Sequence, residues 1–291
     1  MRPCFQTCLL TLLAAGALSG AGQEASLSQR AALDLSAQGE HAGAAIEFRR
    51  AALAEPAAEA QAAFYWAAAC EYLRIGRVEM AAEMLERAET VLPNMDHNLR
   101  LLRAETEMAR QNYAEAGFHY QGLLEAHAAD DAFRTWLARR LAIAELYQGA
   151  THRAREALAR APTPQTEALV ACERYMSGRD RSPLVGGLCG LIPGLGYAYS
   201  GEYANGLRSL LLNGLFLFGL IKCAEEDLWG AAAVIGFFEI TWYSGSIYGG
   251  VDAAHRFNRR RLEDCAEGIQ GTARLEPDFS RLPAIGWRIN F

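Results

Sequence analysis

Seventy residues, 182–251, carry little charge, and this most narrows what the chain can fold into. Ser182 to Gly201 has no charged side chain. Leu207 to Ala224 is interrupted only by Arg208 near its start and Lys222 near its end, and Leu228 to Val251 only by Glu239. Hydrocarbon offers no partner to a bare N–H or C=O, so a segment that enters a bilayer satisfies its backbone within a helix or a closed barrel. The last two runs are long enough to span a bilayer as helices. A fully buried soluble core is the competing explanation, and three such runs in so short a stretch favour the membrane. Trp242, Tyr243 and Tyr248 suit the interfacial zone near the end of the last run.

The first run breaks inside the sequence IPGLGYAYSGEYANG, residues 192–206. Pro193 and Gly194 stop a helix before it grows to full length. Gly196 and Gly201 permit a bend, and Tyr197, Tyr199 and Tyr203 fit a headgroup boundary. Gly186-x3-Gly190-x3-Gly194 and Gly245-x3-Gly249 each put small residues on one helical face, where helices can touch. A bent or re-entrant first helix packed on two longer ones is expected. Three crossings would place Arg256, Arg259, Arg260 and Arg261 inside the cytoplasm, with Glu225-Glu-Asp227 outside. If the first segment re-enters instead, those arginines lie outside.

This stretch resembles a small bacterial membrane module. The resemblance rests on Pro193-Gly-Leu-Gly196, Tyr199-x-Gly201, Tyr203-x2-Gly206, Tyr248-Gly249 and Asn258-Arg-Arg-Arg261. Tyr197 stands where members often carry glutamine. The resemblance covers residues 182–261 and implies a membrane domain of two or three helical segments. It implies no enzymatic role.

The preceding half repeats itself. Gly39, Ala44, Phe48, Ala51 and Pro56 recur as Gly76, Ala81, Leu85, Ala88 and Pro93, each displaced by 37 residues. A third copy places Tyr113, Ala116, Tyr120 and Leu123 after Gln111. A fourth places Ala154, Leu158 and Ala161 after Gly149, with Pro162 following. Each unit reads as a helix, a tight turn at the glycine, and a returning helix that proline ends. Small residues sit where the two helices cross. The pattern resembles the tetratricopeptide repeat over residues 24–162, with Tyr65, Ala68, Ala69 and Tyr72 matching the first helix of the best copy. The third copy departs from it, with Gln111 for glycine and Arg100 for the first aromatic. A helix-hairpin stack of another family is the alternative. On the register of the resemblance, Trp66, Cys70, Arg74, Leu101, Glu105, Trp136, Arg139 and Tyr147 line the concave face. Such aromatic and arginine side chains are the usual anchors for a protein or peptide. Trp66 and Trp136 could equally pack between neighbouring repeats.

The fold class expected is therefore all-α: an α-solenoid of helix-turn-helix repeats over 24–181, followed by a small helical transmembrane domain over 182–261. Residues 262–291 form a polar C-terminal tail. It ends Trp287-Arg-Ile-Asn-Phe291, alternating like an outer-membrane insertion signal, but one strand makes no barrel. The start of the chain, residues 1–22, reads as an export signal or an uncleaved anchor, with Arg2 before the apolar run Cys8 to Leu18. That places the repeats on the periplasmic side of a bacterial inner membrane.

Chemistry is sparse. The net charge of −6 argues against a nucleic-acid partner. Seven scattered cysteines and six scattered histidines show neither a disulfide framework nor metal-ligand spacing, so no metal or cofactor is expected. No phosphate loop, nucleophile elbow or zinc-protease motif occurs, and no enzyme is expected. Asp252 and His255 read as a solvated helix end. Glu239 alone asks for a mechanism, because an acid within a membrane segment is costly. It is either neutral or hydrogen-bonded to Asn213, or it serves a transport pathway with the repeats as a regulatory cap. The function expected is a membrane-anchored scaffold of the cell envelope that binds a protein or peptide. It contacts lipid and could self-associate through its glycine-rich helices.

Overall fold

The computed structural model describes residues 24–93, 97–126, 131–272, 274–277, 279, 282 and 287–290. The expected export signal over 1–22 lies outside them. The architecture is helical, as expected. Eight helices come first: α1 over 24–37, then α2 His41–Ala54, α3 Ala58–Arg74, α4 Val78–Val91, α5 His97–Ala109, α6 Tyr113–Ala126, α7 Asp131–Tyr147 and α8 Thr151–Ala159. They follow one another as pairs, and the same turn closes every pair.

That turn has a clear physical cause. Gly39, Gly76, Gln111 and Gly149 have φ of 80°, 71°, 63° and 78°. A left-handed residue there lets the next N–H reach back to the last free carbonyls of the helix. Glu40, Arg77, Asn112 and Ala150 each donate to the carbonyl five residues back, all at 2.9 Å, on Leu35, Tyr72, Glu107 and Glu145. Gln111 takes the same conformation as the glycines despite its Cβ, at a cost of roughly 1 kcal/mol.

Most of the repeated apolar positions turn inward; Tyr113 and Ala161 are half-buried. Ala44, Phe48, Ala51, Ala81, Leu85, Ala88, Ala116, Tyr120, Leu123 and Ala154 are fully buried. Helix α3 is the centre of this core, with every residue from Ala62 to Tyr72 buried. Alanine brings helix axes close, and Trp66, Phe48, Met84 and Leu85 fill the space left beside it.

The chain divides into two compact units. One holds the residues up to Thr166 together with those from Gln270 onward, and the other spans Glu167 to Ile269. Helix α9, Thr166–Ser177, thus falls almost wholly in the second unit, whereas the sequence placed it with the repeats. The second unit continues with α10 Pro183–Cys189, α11 Leu195–Tyr199, α12 Tyr203–Glu225 and α13 Trp229–Gln270. Helix α13 runs 42 residues, through the boundary expected at 261. After it the tail forms an antiparallel hairpin, β1 Arg274–Pro277 with β2 Trp287–Asn290, in the register Arg274↔Asn290 and Pro277↔Trp287. The alternating end of the sequence is thus a strand, and its partner is the chain's own tail.

The second unit packs backbone on backbone. A Cβ on Gly186 would lie 2.4 Å from the carbonyl oxygen of Gly250, and one on Gly250 would lie 2.2 Å from that of Gly186. Gly196 meets both. Gly190 abuts Ile247 and Ser246, and Gly249 lies against the Tyr197 ring. Gly194, at φ 87°, would press a Cβ to 2.2 Å from the Gly206 carbonyl oxygen. Pro193 lies in the turn between α10 and α11. Two expectations change. Gly245 faces open space, and Gly250 makes the crossing in its place. Gly201 also faces open space, and its φ of 79° serves the turn before α12, where Glu202 donates to the Tyr197 carbonyl at 2.9 Å. The first greasy run becomes two short helices. At 1.5 Å per residue, the seven residues of α10 rise only about 10 Å.

Of the described helices, α12 is the one long and apolar enough to cross a membrane. Only Gly206 and Asn213 of its residues are buried. Leu207, Leu211, Leu215 and Phe218 are more than half exposed, as are Trp229, Val234, Phe237 and Ile240 in the first part of α13. The second part of α13 is different, with Ala253, Ala254, Cys265 and Ile269 packed inward.

Candidate functional site

A cavity of about 670 Å3 opens within the first unit. Its helical wall comes from the first helices of successive pairs, α3, α5 and α7, with Cys70, Leu73, Arg74, Leu102, Glu105, Trp136, Arg139 and Arg140. His41 closes one end. Gln270, Arg274, Glu276 and Pro277 of the tail form the opposite wall.

Two charged clusters shape it. At one end Glu71 is fully buried, and its carboxylate accepts from Ser36 Oγ at 3.0 Å and meets His41 Nδ1 at 2.6 Å. Arg74 lies 3.4 Å away. Serine and histidine both address the carboxylate, so the serine is not activated by the imidazole and no nucleophile relay is formed. Cys70 lies beside them on the cavity wall. Burial, with Glu71 adding to it, pushes its thiol well above the ordinary value, so it stays protonated and weakly reactive.

In the middle, Arg140 grips Glu105 with both nitrogens, Nε to Oε1 at 2.9 Å and Nη2 to Oε2 at 2.5 Å. Tyr120 donates to the same carboxylate at 2.5 Å. The guanidinium also stands 5.7 Å from the ring centroids of both Tyr120 and Trp136. Burial alone would lower its pKa, but Glu105 and Tyr120 more than offset this and raise it. Burial, and then Glu105, likewise raises the Tyr120 phenol. Arg139, one residue earlier, points differently. It donates to Gln165 Oε1 at 2.5 Å and to the Gln270 carbonyl at 3.1 Å. Its contacts are neutral oxygens, so its charge is not matched by a carboxylate.

Four of the six residues expected to bind a partner meet here: Arg74, Glu105, Trp136 and Arg139. Cys70 joins them. Trp66 does not line the cavity, because it is completely buried and packs edge-on against Phe279 of the tail at 6.0 Å. Leu101 is core. Tyr147 lies elsewhere, stacked on Tyr113 at 4.7 Å. Arg140 and the tail residues were not anticipated. Arg139 and Arg140 both reach the cavity, although adjacent helix positions differ by about 100° in direction.

The second unit holds its own polar features. Glu202, at the start of α12, accepts from Arg256 Nε and Nη2 at 2.9 and 2.8 Å, from Asn205 at 2.8 Å and from Arg260 at 3.2 Å. Hydrogen bonding to Arg256 is the main reason that its pKa falls to about 2. Asn258 exchanges hydrogen bonds with the backbone of Arg181, and Arg261 bonds Asp180 and the Tyr175 carbonyl. The basic end that three crossings would place in the cytoplasm is therefore largely held by contacts within the unit. Cys172 and Cys265, far apart in sequence, are hydrogen-bonded neighbours, which raises the Cys265 thiol. Asn213 donates to the Ser209 carbonyl at 2.7 Å. It makes no bond to Glu239, contrary to one expectation, and Asn213 Oδ1 and Glu239 Oε2 are both buried without a partner. Among the described residues, no group of three His, Cys, Asp or Glu is placed to hold a metal.

Comparison of the chain with protein-family models, with curated proteins and with solved structures gives no match.

Proposed function

We propose that this chain is a membrane-held binding scaffold of the bacterial envelope. Its first unit is an α-solenoid of tetratricopeptide type, and its second is a small transmembrane domain. The cavity receives a protein or peptide. One observation carries the reading: the first helices of successive pairs bring Arg74, Glu105, Trp136 and Arg139 to one open cavity. Arginine and tryptophan in such a place are typical anchors of recognition. Nucleophile chemistry has little support there, since Ser36, His41 and Cys70 are bonded or protonated in unreactive ways.

Membrane attachment rests on the exposed apolar side chains of α12 and the first part of α13, since exposed apolar surface marks an interaction or membrane site. Residues up to Thr166 and residues from Gln270 share one compact unit. Helix α12 has the length and hydropathy of a span, and in this reading the exposed apolar first part of α13 makes the return crossing. The sequence suggested three crossings, or a first segment that re-enters; α10, at seven residues, is too short to cross alone. Most of the glycines expected to mediate helix contact pack inside the unit, Gly201 and Gly245 excepted.

The export-like start carries the binding unit to the periplasmic side. A second orientation has its own support: Arg174, Arg179, Arg181, Arg256, Arg259, Arg260 and Arg261 lie in sequence before and after the apolar stretch, against Lys222 near the end of α12. That charge bias favours the cytoplasm. A C-terminal alkaline phosphatase fusion is active in the first orientation and inactive in the second.

The binding test is affinity capture from solubilised membranes. Arg139→Ala releases the captured partner while helical circular dichroism is retained. Capture unchanged by Arg139→Ala, or no partner at all, contradicts the scaffold reading. A transport role has one favouring observation, the buried Glu239 oxygen without a partner. Glu239→Gln abolishes vesicle flux if that reading holds; absence of flux in the parent removes it.

A further inference from the structure

The tail wall of the cavity ends in an aromatic anchor. Phe279 sits 5.2 Å from Phe48 and 6.0 Å from Trp66, ring centre to ring centre. The guanidinium of Arg74 stands 5.6 Å from its centroid. Leu282 packs on the same core, and its N–H donates to the Phe279 carbonyl at 3.3 Å. Phe48 and Trp66 have no exposure left. Phe48 comes from α2, Trp66 and Arg74 from α3, so this socket belongs to the first helix pairs and is capped by a distant end of the chain.

The tail closes tightly at Phe279 and loosely beside it, where Arg274, Glu276 and Pro277 line the cavity. A segment that belonged to the core would close the groove to the density of a protein interior. Here a space of about 670 Å3 remains between the tail and the helices. The hairpin has only two strands of four residues, too few to be stable without a surface beneath it. Arg274 and Glu276 on it are exposed. The tail behaves as a ligand on a tether: one aromatic anchor, one aliphatic neighbour and a backbone contact from Arg139 to Gln270.

We propose that the Phe48–Trp66–Arg74 socket recognises a short segment carrying phenylalanine with an aliphatic residue three positions later, and that Phe279 and Leu282 occupy it in cis until such a segment arrives in trans. This rests on the peptide-binding reading above and names the ligand. The aromatic ring contributes burial and edge packing, and Arg74 lies over its face, which attracts a cation. The tether holds the tail at millimolar effective concentration, so a competing segment is excluded unless it binds more tightly or the anchor is lost.

The test uses the full chain in detergent and a fluorescent peptide of residues 272–291. The Phe279→Ala chain binds this peptide at least tenfold more tightly than the intact chain. The same peptide with alanine at 279 binds neither. Arg74→Ala, added to Phe279→Ala, weakens binding at least fivefold, with helical circular dichroism unchanged. Equal binding to both chains, no binding to a folded Phe279→Ala chain, or binding indifferent to Arg74 overturns the proposal. If those results come with a captured partner that still depends on Arg139, the socket proposal fails and the scaffold reading stands.

Discussion

The two units solve the same problem, close approach of helices, with different residues. In the first unit the contact surface is alanine: Ala44, Ala51, Ala68, Ala81 and Ala88 are buried among larger apolar side chains. In the second it is bare backbone, with Gly186, Gly196 and Gly250 touching through their carbonyls. Water explains the difference. Burying methyl groups from water drives the first unit together, at roughly 25 cal/mol per Å2. If the second unit lies in lipid, as proposed, its helices have no such drive, so close van der Waals contact supplies the attraction, and glycine permits the closest. The polar content follows suit. The first unit carries many ion pairs, while the exposed flanks of α12 are leucine and phenylalanine.

Gly250→Val has the largest expected effect, because a side chain there meets the Gly186 carbonyl inside van der Waals distance. A loss above about 3 kcal/mol, seen as failure to accumulate a folded chain in membranes, is expected from such overpacking. Gly245→Ala, which meets open space, is neutral. Equal tolerance at both positions breaks the contrast between units.

Glu105→Ala comes next. It strands Arg140 beside two aromatic rings, with its side chain 17% exposed. A loss of about 2 kcal/mol is expected, below the range for fully buried pairs because water still reaches this one. Thermal unfolding of the variant measures it. Adding Arg140→Met recovers part of the loss.

Acid separates the units further. Glu202 has a folded pKa of about 2, against an ordinary value near 4.5. The unfolded chain therefore takes up its proton first as pH falls. The clasp to Arg256 contributes stability fully above about pH 4.5 and loses it progressively toward pH 2. Glu202→Gln flattens that acid limb in a detergent unfolding titration.

The smallest effect is a gain. Gln111→Gly relieves the one turn among the four helix pairs that holds a side chain at positive φ. It raises the melting free energy by about 0.5 kcal/mol, the relief of strain less the added freedom of the unfolded chain. Gly76→Ala, at φ 71°, lowers it by about 1 kcal/mol.

The helix pairs were legible because their signal is local. Glycine at a left-handed turn and alanine at a crossing recur at fixed spacing, and even Gln111 kept its place in that register. What sequence could not reveal depends on distant partners. Sequence left Trp66 open between a partner anchor and a packing residue, because periodicity gives a face of a helix and not what covers it, and the structure buries it. Its cover is Phe279, in a tail whose composition is polar. Glu202 carried no signal, since its partners Arg256 and Arg260 lie more than fifty residues later. Cys172 and Cys265 form a neighbouring pair for the same reason, though their spacing suggested none.

The account stands most directly on α12 and the start of α13 lying in lipid. Tryptophan fluorescence in bilayers with brominated acyl chains tests it, since Trp229 and Trp242 lie on the exposed part of α13 and Trp66 and Trp136 lie in the other unit. Strong quenching in the intact chain, abolished by Trp229→Phe with Trp242→Phe, is the predicted result. Quenching that survives this double change, or none in the intact chain, contradicts the membrane assignment.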